Sequence, residues 1–198
     1  MRERDVADTS SWEPWQHDYR FGVVLVMPPP YVASPIDALR QAYDRKSHAI
    51  CAAHISVSDP LRRPMSGDAQ KEIQELLRTV EPFAVHYDRP TASARRPGVA
   101  YPVSPQERFD ELKRIIHQAS VFEGAAYGRR DIPAHMTIAE FVTIEDSLRI
   151  CADLIDRAPR GSFWCDRLEH VVPDATFRFQ RCGTFFLGTS ADGGGSGA

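Results

Sequence analysis

Two short apolar segments of the chain repeat one arrangement of a histidine and a hydroxyl residue, and this repeat constrains the fold more than any other feature. His54 and Ser56 stand two positions apart in the first segment, and His135 and Thr137 do so in the second. Apolar residues alternate with them, a pattern typical of β-strands, in which alternate side chains share a face. Each strand is therefore predicted to present one imidazole and one hydroxyl on the same face.

The match is informative because it occurs twice. Chance alone would supply about one histidine followed two positions later by serine or threonine, so a single match means little. Of seven histidines in the chain, only His54 and His135 match. The other five are followed at that position by Tyr19, Ile50, Asp88, Ala119 and Val172. The alternative interpretation is two half-buried core histidines that happen to precede hydroxyl residues.

The order of predicted elements gives the two histidines equivalent places. The elements run β-α-β-α-β-β-α-β-α-β-β, and the second part repeats the β-α-β-α-β order of the first, with the histidine strand second in each copy. Strand pairs interspersed with helices predict an α+β fold, with two antiparallel sheets backed by helices and a cleft between them. The predicted strands are 21–27, 52–58, 83–87, 99–103, 133–139, 163–172 and 176–187, and the predicted helices are 35–46, 68–80, 104–119 and 144–157.

Composition divides the chain into three parts. Residues 1–18 are a polar N-terminal extension, in which Trp12 and Trp15 are expected to dock on the body of the protein. Residues 19–188 are predicted to be the folded body, because a chain with 42% hydrophobic residues can bury a core. Residues 189–198 are rich in glycine, which is typical of a flexible tail.

Charge and cysteine usage narrow the class of protein. The formal net charge of −3 excludes a strongly basic nucleic-acid-binding protein, although it allows a local basic cleft. The four cysteines show no paired spacing, which favours reduced core residues over disulfides or a zinc site. No apolar run reaches the length of a transmembrane helix and the N-terminus is not signal-like, so we expect a cytoplasmic protein without membrane contact.

The chain resembles the 2H phosphoesterase superfamily, which is named for paired H-x-[ST]-x motifs. The matching motifs here are His54-Ile55-Ser56-Val57 and His135-Met136-Thr137-Ile138. Within the superfamily the resemblance is to bacterial 2′-5′ RNA ligase-like proteins of the YjcG type, and it covers about residues 20–188. The supporting stretches are the opening strand at 21–27, the strand entry at Pro82-Phe83 and the closing segment at 184–188.

The resemblance implies a bilobal fold with pseudo-twofold symmetry, in which two sheets with helices on the outside enclose an active-site cleft. It also implies phosphodiester chemistry on 2′,3′-cyclic phosphates or 2′–5′ linkages of RNA ends or small nucleotides, without a metal or other cofactor. One position departs from the family. Many members carry an arginine three residues after the second motif's threonine, where this chain has Glu140. A phosphate contact is therefore lost or supplied by another residue.

The predicted site residues also suit this chemistry by themselves. Two imidazoles with pKa values near ~6.5 can provide one neutral and one protonated ring at neutral pH, so His54 and His135 are predicted to be the general base and acid, in either order. The hydroxyls of Ser56 and Thr137 are predicted to hold phosphate oxygens. Further candidate substrate contacts are Arg129, Arg130, Tyr101 and Tyr127, for which surface charge or packing is the ordinary role.

Two classes of function follow from these residues. The first is a phosphodiesterase, including reversible 2′–5′ ligation, that acts on RNA ends or small nucleotides; the same chemistry would also serve cyclic oligonucleotide signals. The second is a non-catalytic relative that binds nucleotides without turnover. Only the first predicts histidine-dependent release of a phosphomonoester. No metal, cofactor or obligate protein partner is expected, and the chain is expected to be a monomer.

Overall fold

The computed structural model describes residues 8–125 and 128–188 as a mixture of helices and antiparallel strands. The α-helices are α1 (Pro30–Tyr43), α2 (Arg45–Ile50), α3 (Gly67–Leu77), α4 (Gln106–Ile116) and α5 (Ile144–Leu154). The strands are β1 (Val23–Val26), β2 (Ile55–Ser56), β3 (Phe83–Tyr87), β4 (Thr91–Ala92), β5 (Val99–Ser104), β6 (His135–Ala139), β7 (Gly161–Cys165), β8 (Arg167–Pro173) and β9 (Phe179–Phe186). Short 3-10 helices occupy Pro14–Tyr19, Ser120–Phe122 and Gly128–Asp131.

The described strands pair along one path in the order β7-β3-β5-β6-β2-β1-β8-β9, with β4 beside β5. Four strands of this path therefore lie on each side of the junction between β6 and β2. Each half draws on both parts of the chain, because β3 pairs with β5 and β8 pairs with β1. This arrangement confirms the predicted α+β class with antiparallel strands, and the two halves of the path are here called lobes.

The two lobes are joined more closely than the prediction of two separate sheets implied. Strands β2 and β6 pair through Ile55 and Met136, so the ladder continues from one lobe into the other. The junction is short because β2 contains only two residues in ladder conformation. The predicted strand at 52–58 is therefore mostly irregular backbone, which leaves backbone groups near the junction free to bond with side chains.

Two other predicted elements differ in their bounds. The single strand expected at 163–172 is two strands divided at Asp166, because β7 pairs with β3 in one lobe whereas β8 pairs with β1 in the other. The first helix begins at Pro30 rather than at the expected Ser34-Pro35. Proline is favoured at the first position of a helix, and Pro30 occupies that position. The proline that marks the start of the helix is therefore Pro30, about one helical turn before Pro35.

One face of the joined sheets packs against the helices and forms the main core. Strand residues Ile55 and Met136 lie in it and are fully buried, together with helix residues such as Ile36, Phe109 and Leu112. Because side chains alternate along a strand, the two motif histidines belong to the opposite face. The helices therefore cover one side of the sheets and leave the histidine side to form a site. Within the described residues, none of these helices has the length and apolar character needed to cross a bilayer.

The described part of the N-terminal extension packs on the body through its aromatic residues. The Trp12 and Phe177 rings meet edge to face at 5.1 Å, and Trp15 contacts Phe177 at 5.2 Å between ring centroids. Trp15 also lies 6.4 Å from Phe141, just beyond β6. The expected docking of the two tryptophans is thus present on the lobe that contains β1, β8 and β9.

Arg40, on α1, binds the backbone on both sides of the junction. Its guanidinium is 1% exposed and donates to the carbonyl of Thr137 at 2.6 Å, to that of Cys51 at 2.7 Å and to that of Ser47 at 2.9 Å. Asp37 lies 3.4 Å from its Nε atom as the counter-ion. One buried cation therefore connects the chain before the first motif with the strand of the second.

We expect Arg40→Met to lower the free energy of unfolding by about 3–5 kcal/mol. The substitution removes one member of a buried ion pair, and it leaves the Asp37 carboxylate and the three backbone carbonyls without their donor. Methionine keeps most of the apolar volume, so the loss reports on the polar contacts. Urea unfolding followed by circular dichroism measures it. Arg114→Ala, an exposed position on α4, is the matched control and should change little. A loss below about 1 kcal/mol for Arg40→Met would show that the junction does not depend on this cation.

Candidate active site

The register at the junction brings the four predicted motif residues onto one face. Because Ile55 pairs with Met136 in an antiparallel ladder, His54 lies opposite Thr137 and Ser56 lies opposite His135. Directly opposed residues have Cβ atoms about 4.5–5.5 Å apart. Two imidazoles and two hydroxyls therefore form a compact diagonal pair on neighbouring strands, rather than facing each other from two separate sheets.

Matching side chains on two helices fix the backbone just before each histidine. The amide of Ala53 donates to Asp37 Oδ1 on α1 at 2.8 Å, and the amide of Ala134 donates to Gln106 Oε1 on α4 at 2.9 Å. Gln106 Nε2 also donates to the Ala134 carbonyl at 2.8 Å. Both alanines are buried, so these bonds replace ladder bonds that water could not supply. The pseudo-symmetry of the sequence extends to the way each histidine is held.

The two imidazoles have the same tautomer in their neutral forms. His54 Nδ1 lies 2.7 Å from the Ala52 carbonyl, and His135 Nδ1 lies 2.7 Å from the Pro133 carbonyl. A carbonyl oxygen can only accept a hydrogen bond, so each Nδ1 must carry the proton. The Nε2 atoms are then the nitrogens available for proton transfer, accepting a proton in a neutral ring and donating one from a charged ring. This is the orientation that acid–base catalysis needs.

The surroundings of His54 favour its neutral form. Burial of the ring lowers the pKa of His54 to about 4, and the positive charge of Arg40 adds to this effect. The hydrogen bond to Ala52 opposes the shift, whereas electrostatic interaction with His135 and with Arg129 lowers the pKa of His54 further. At neutral pH this ring is therefore unprotonated and can accept a proton.

Arg129 places a positive charge beside the motif residues. Its backbone amide donates to Asp59 Oδ1 at 2.9 Å, which fixes the loop that leads into β6. Its Nε atom is buried, and no partner for it lies within the described residues. A buried N–H without a partner is costly, so an anion bound at this point would satisfy it. The contribution of Arg129 to the low pKa of His54 indicates that the charge lies near that ring.

Glu140 does not replace the arginine that many family members carry. Its side chain is exposed and accepts a hydrogen bond from Ser47 Oγ at 3.0 Å. Its backbone amide and that of Phe141 both donate to Asp44 Oδ2, at 2.8 and 2.9 Å. This segment therefore connects the end of β6 to the start of α2. Positive charge near His54 comes instead from Arg129 and from the buried Arg40.

The other three residues predicted to contact substrate are Tyr101, Arg130 and Tyr127. Tyr101 is fully buried and packs edge to face on Tyr87 at 5.4 Å, on the core side of β5. The prediction that Tyr101 contacts substrate is wrong, because its partner in the ladder is Met136 and both point away from the histidines. Arg130 is exposed and lies 3.5 Å from Asp131. Tyr127 lies outside the described residues.

Sequence reasoning missed the side chains that position the motifs. Asp37 and Gln106 lie on helices 16 and 28 residues before the amides that they bind, and Arg40 lies 97 residues before the Thr137 carbonyl. Helical spacing alone gives no sign of this role. The available signal was a charged residue at a helix position otherwise expected to be buried, which is where Arg40 lies. Within the described ranges, no cluster of three or more histidine, cysteine or acidic side chains has the arrangement of a metal site.

The low pKa of His54 has a consequence for stability. An unfolded histidine titrates near ~6.5, so between that pH and about 4 the unfolded chain takes up a proton that the folded ring does not. The contribution of His54 to the free energy of unfolding should therefore be present above about pH 6.5 and decline as the pH falls towards about 4. Unfolding of wild type and His54→Gln across this range measures the difference, with His86→Gln, an exposed ring, as control. An NMR midpoint for His54 near ~6.5 would contradict the expectation.

Comparisons with known proteins agree with this arrangement. The family model described as the 2′-5′ RNA ligase superfamily matches residues 28–176. Among solved structures, one titled a phosphoesterase has a TM-score of 0.55 and 14% identity, covering 84% of this chain and 97% of that one. TT0787 of Thermus thermophilus has a TM-score of 0.52 and 12% identity, covering 85% of this chain and 98% of that one.

Apo LigT of E. coli has a TM-score of 0.51 and 14% identity, covering 84% of this chain and 96% of that one. No curated protein matches the sequence. At these identities the solved structures support the fold, whereas the family model spans most of the chain and includes both motifs. The chain therefore belongs to the 2′-5′ RNA ligase superfamily of 2H phosphoesterases.

Proposed function

We propose that this protein is a metal-independent phosphodiesterase that opens 2′,3′-cyclic phosphates or cleaves 2′–5′ linkages of RNA ends or small nucleotides. Membership of a phosphoesterase superfamily supports the general class of reaction. The observation that carries the finer proposal is the pair of imidazoles on neighbouring strands, each with Nδ1 bonded to a backbone carbonyl and Nε2 available. Such a pair can take a proton at one end of a phosphodiester and return one at the other.

The two imidazoles have different roles in this proposal. His54 acts as the general base, because burial and neighbouring positive charge lower its pKa to about 4 and keep it unprotonated. It takes a proton from water as the water oxygen forms a bond to phosphorus. His135 acts as the general acid and protonates the ribose oxygen whose bond to phosphorus breaks. The products are a phosphomonoester and a free ribose hydroxyl, and the next proton exchange with solvent restores both rings.

Substrate binding is expected to raise the pKa of His54 towards the working pH. A base is most effective when its pKa lies near the working pH, and about 4 is low for this purpose. A phosphodiester bound between the rings brings a negative charge that favours protonated imidazole, and so raises the pKa of His54. The His54 ring is thus unprotonated in the free protein, and it becomes a stronger base when the anionic substrate binds.

Three donors would hold the phosphate while the proton transfers occur. Ser56 lies opposite His135 and Thr137 lies opposite His54, so each hydroxyl stands beside the other motif's imidazole. The unpartnered Nε of Arg129 adds a charged donor near His54. Donors fixed in advance around non-bridging phosphate oxygens stabilise the charge that develops in the transition state. In this proposal Arg129 supplies the contact that many family members obtain from an arginine at the position of Glu140.

Replacing either catalytic histidine should remove most activity. We expect His54→Ala and His135→Ala each to lower turnover by roughly 10²–10⁴-fold, because each removes one proton transfer. The double variant should lose less than the product of the two, since the rings act as a unit. The measurement is phosphomonoester release from 2′,3′-cyclic nucleotides and 2′–5′-linked dinucleotides. His86→Ala, an exposed histidine on β3, is the control and should retain activity.

The same assay with a chelator tests independence from metal. EDTA should leave turnover unchanged, and turnover should rise and then fall with pH because one ring must be neutral and the other charged. Loss of activity in EDTA, or full activity in His54→Ala, would contradict the mechanism. If the wild type binds these nucleotides but releases no phosphomonoester, the protein is a non-catalytic nucleotide-binding member of the family.

Arg129→Met should lower kcat/KM by about 10- to 150-fold, the range expected for losing a hydrogen bond to a charged group. It should also raise the pKa of His54, because the Arg129 charge contributes to holding that pKa down. Kinetics and an NMR titration of the His54 ring measure the two effects on the same samples. Arg130→Met, the exposed neighbour, should change neither. If Arg129→Met leaves kcat/KM unchanged, Arg129 is not a phosphate contact.

A further inference from the structure

The N-terminal segment reaches the same face of the sheet as the motif residues. Its 3-10 helix ends at Tyr19, whose ring lies 6.1 Å from Phe177 and 5.9 Å from Phe179, both in edge-to-face geometry. The ring also packs against the small apolar cluster that contains Val23 and Leu25 of β1. Tyr19 is therefore fixed by packing on several sides, and it precedes residues 28–176 that the family model matches.

The strand register places this ring on the side of the proposed phosphate site. Leu25 pairs with Ser56, so the two side chains share a face and are direct neighbours. Tyr19 packs on the cluster that contains Leu25, the neighbour of Ser56 on β1. The segment that carries Tyr19 therefore lies on the side of the motif residues next to β1.

The electrostatic surroundings of the Tyr19 hydroxyl agree with this position. Burial raises the pKa of Tyr19, the Arg129 charge opposes that shift, and the charges of Glu140, Asp18 and Asp59 add to it. The hydroxyl therefore lies within electrostatic reach of the same arginine that acts on His54. Because its pKa is raised, the phenol keeps its proton at neutral pH and remains a hydrogen-bond donor.

The hydroxyl is available to a ligand. The structure gives it no hydrogen-bond partner among residues 8–125 and 128–188, although the ring around it is well packed. The Tyr43 hydroxyl, by contrast, donates to Asp153. The Tyr101 hydroxyl also has no partner within the described residues, but it is sealed in the core, where a ligand cannot reach it. A tyrosine hydroxyl at the end of a packed ring usually has a hydrogen-bond partner, so one without a partner in the protein can bond to a ligand.

We infer that the Tyr19 hydroxyl is a further substrate-binding group, which donates a hydrogen bond to the phosphate held by Ser56 and Arg129. The inference rests on the proposed function for the identity of the substrate, a phosphate ester of a nucleotide. It adds a donor from outside the family-matched segment, on the side of the site next to β1. The N-terminal segment is then part of the substrate site as well as a packing element.

Tyr19→Phe tests the inference directly, because phenylalanine keeps the ring packing and removes only the hydroxyl. The probes are inorganic phosphate and adenosine 2′-phosphate, with binding measured by calorimetry, and 2′,3′-cyclic AMP, with turnover measured by phosphomonoester release. We expect Tyr19→Phe to weaken binding of both phosphates by about 10-fold or more and to raise KM by a similar factor, with a smaller change in kcat. Tyr31→Phe, whose parent side chain is 69% exposed on α1, is the matched control and should leave all three quantities unchanged.

The outcomes separate this inference from the proposed function. If the wild type releases no phosphomonoester but binds phosphate more tightly than Tyr19→Phe does, the proposed function fails and the Tyr19 contact stands. If Tyr19→Phe binds phosphate as the wild type does, the contact is wrong whatever the turnover. Absence of phosphate binding by the wild type would also overturn it. Thermal melting of each sample shows whether the variant keeps the wild-type fold, and Tyr19→Leu, which loses the ring as well, gives the size of a packing defect for comparison.

Discussion

The site depends on a β-ladder that narrows to a single residue pair at its centre. Strands β2 and β6 meet at Ile55 and Met136, and this pair sets the register that brings His54, His135 and their hydroxyls together. A longer ladder would occupy the backbone groups on either side with strand bonds. Because β2 is short, Arg40 can bond the Thr137 and Cys51 carbonyls instead. The junction is therefore stabilised by a buried cation, whose field also acts on the nearby imidazole.

The scaffold repeats the setting of each motif histidine, and it also places positive charge near His54. Both rings use Nδ1 on a carbonyl two residues back, and both are preceded by an alanine bonded to a helix side chain. Burial of the His54 ring, together with the charges of Arg40 and Arg129, lowers the pKa of that histidine. The proposed assignment of His54 as the base therefore rests on its local surroundings, which the motif itself does not specify.

Sequence patterns predicted the parts of this arrangement that depend on periodicity. Alternation placed His54 and Ser56 on one strand face, and the repeated element order paired them with the second motif. Contacts between segments that are distant in the sequence could not be predicted from these patterns. The division of residues 163–172 at Asp166 follows from strands that pair in different lobes, and no local signal marks it. Tyr101 was misplaced because its position in the strand did not reveal which of two faces the helices cover.

Glu140 has a structural role at the position where many family members carry an arginine. Glu140 and Phe141 are held through their amides by Asp44, so this segment serves the junction between β6 and α2 whatever side chain it carries. A phosphate site needs positive charge near the developing negative charge, but it does not prescribe which segment provides it. The loop before β6 carries Arg129, whose charge lowers the pKa of His54, and Asp59 fixes that loop through the Arg129 amide. In the proposed mechanism Arg129, rather than a residue at the position of Glu140, therefore supplies the charged contact to the phosphate.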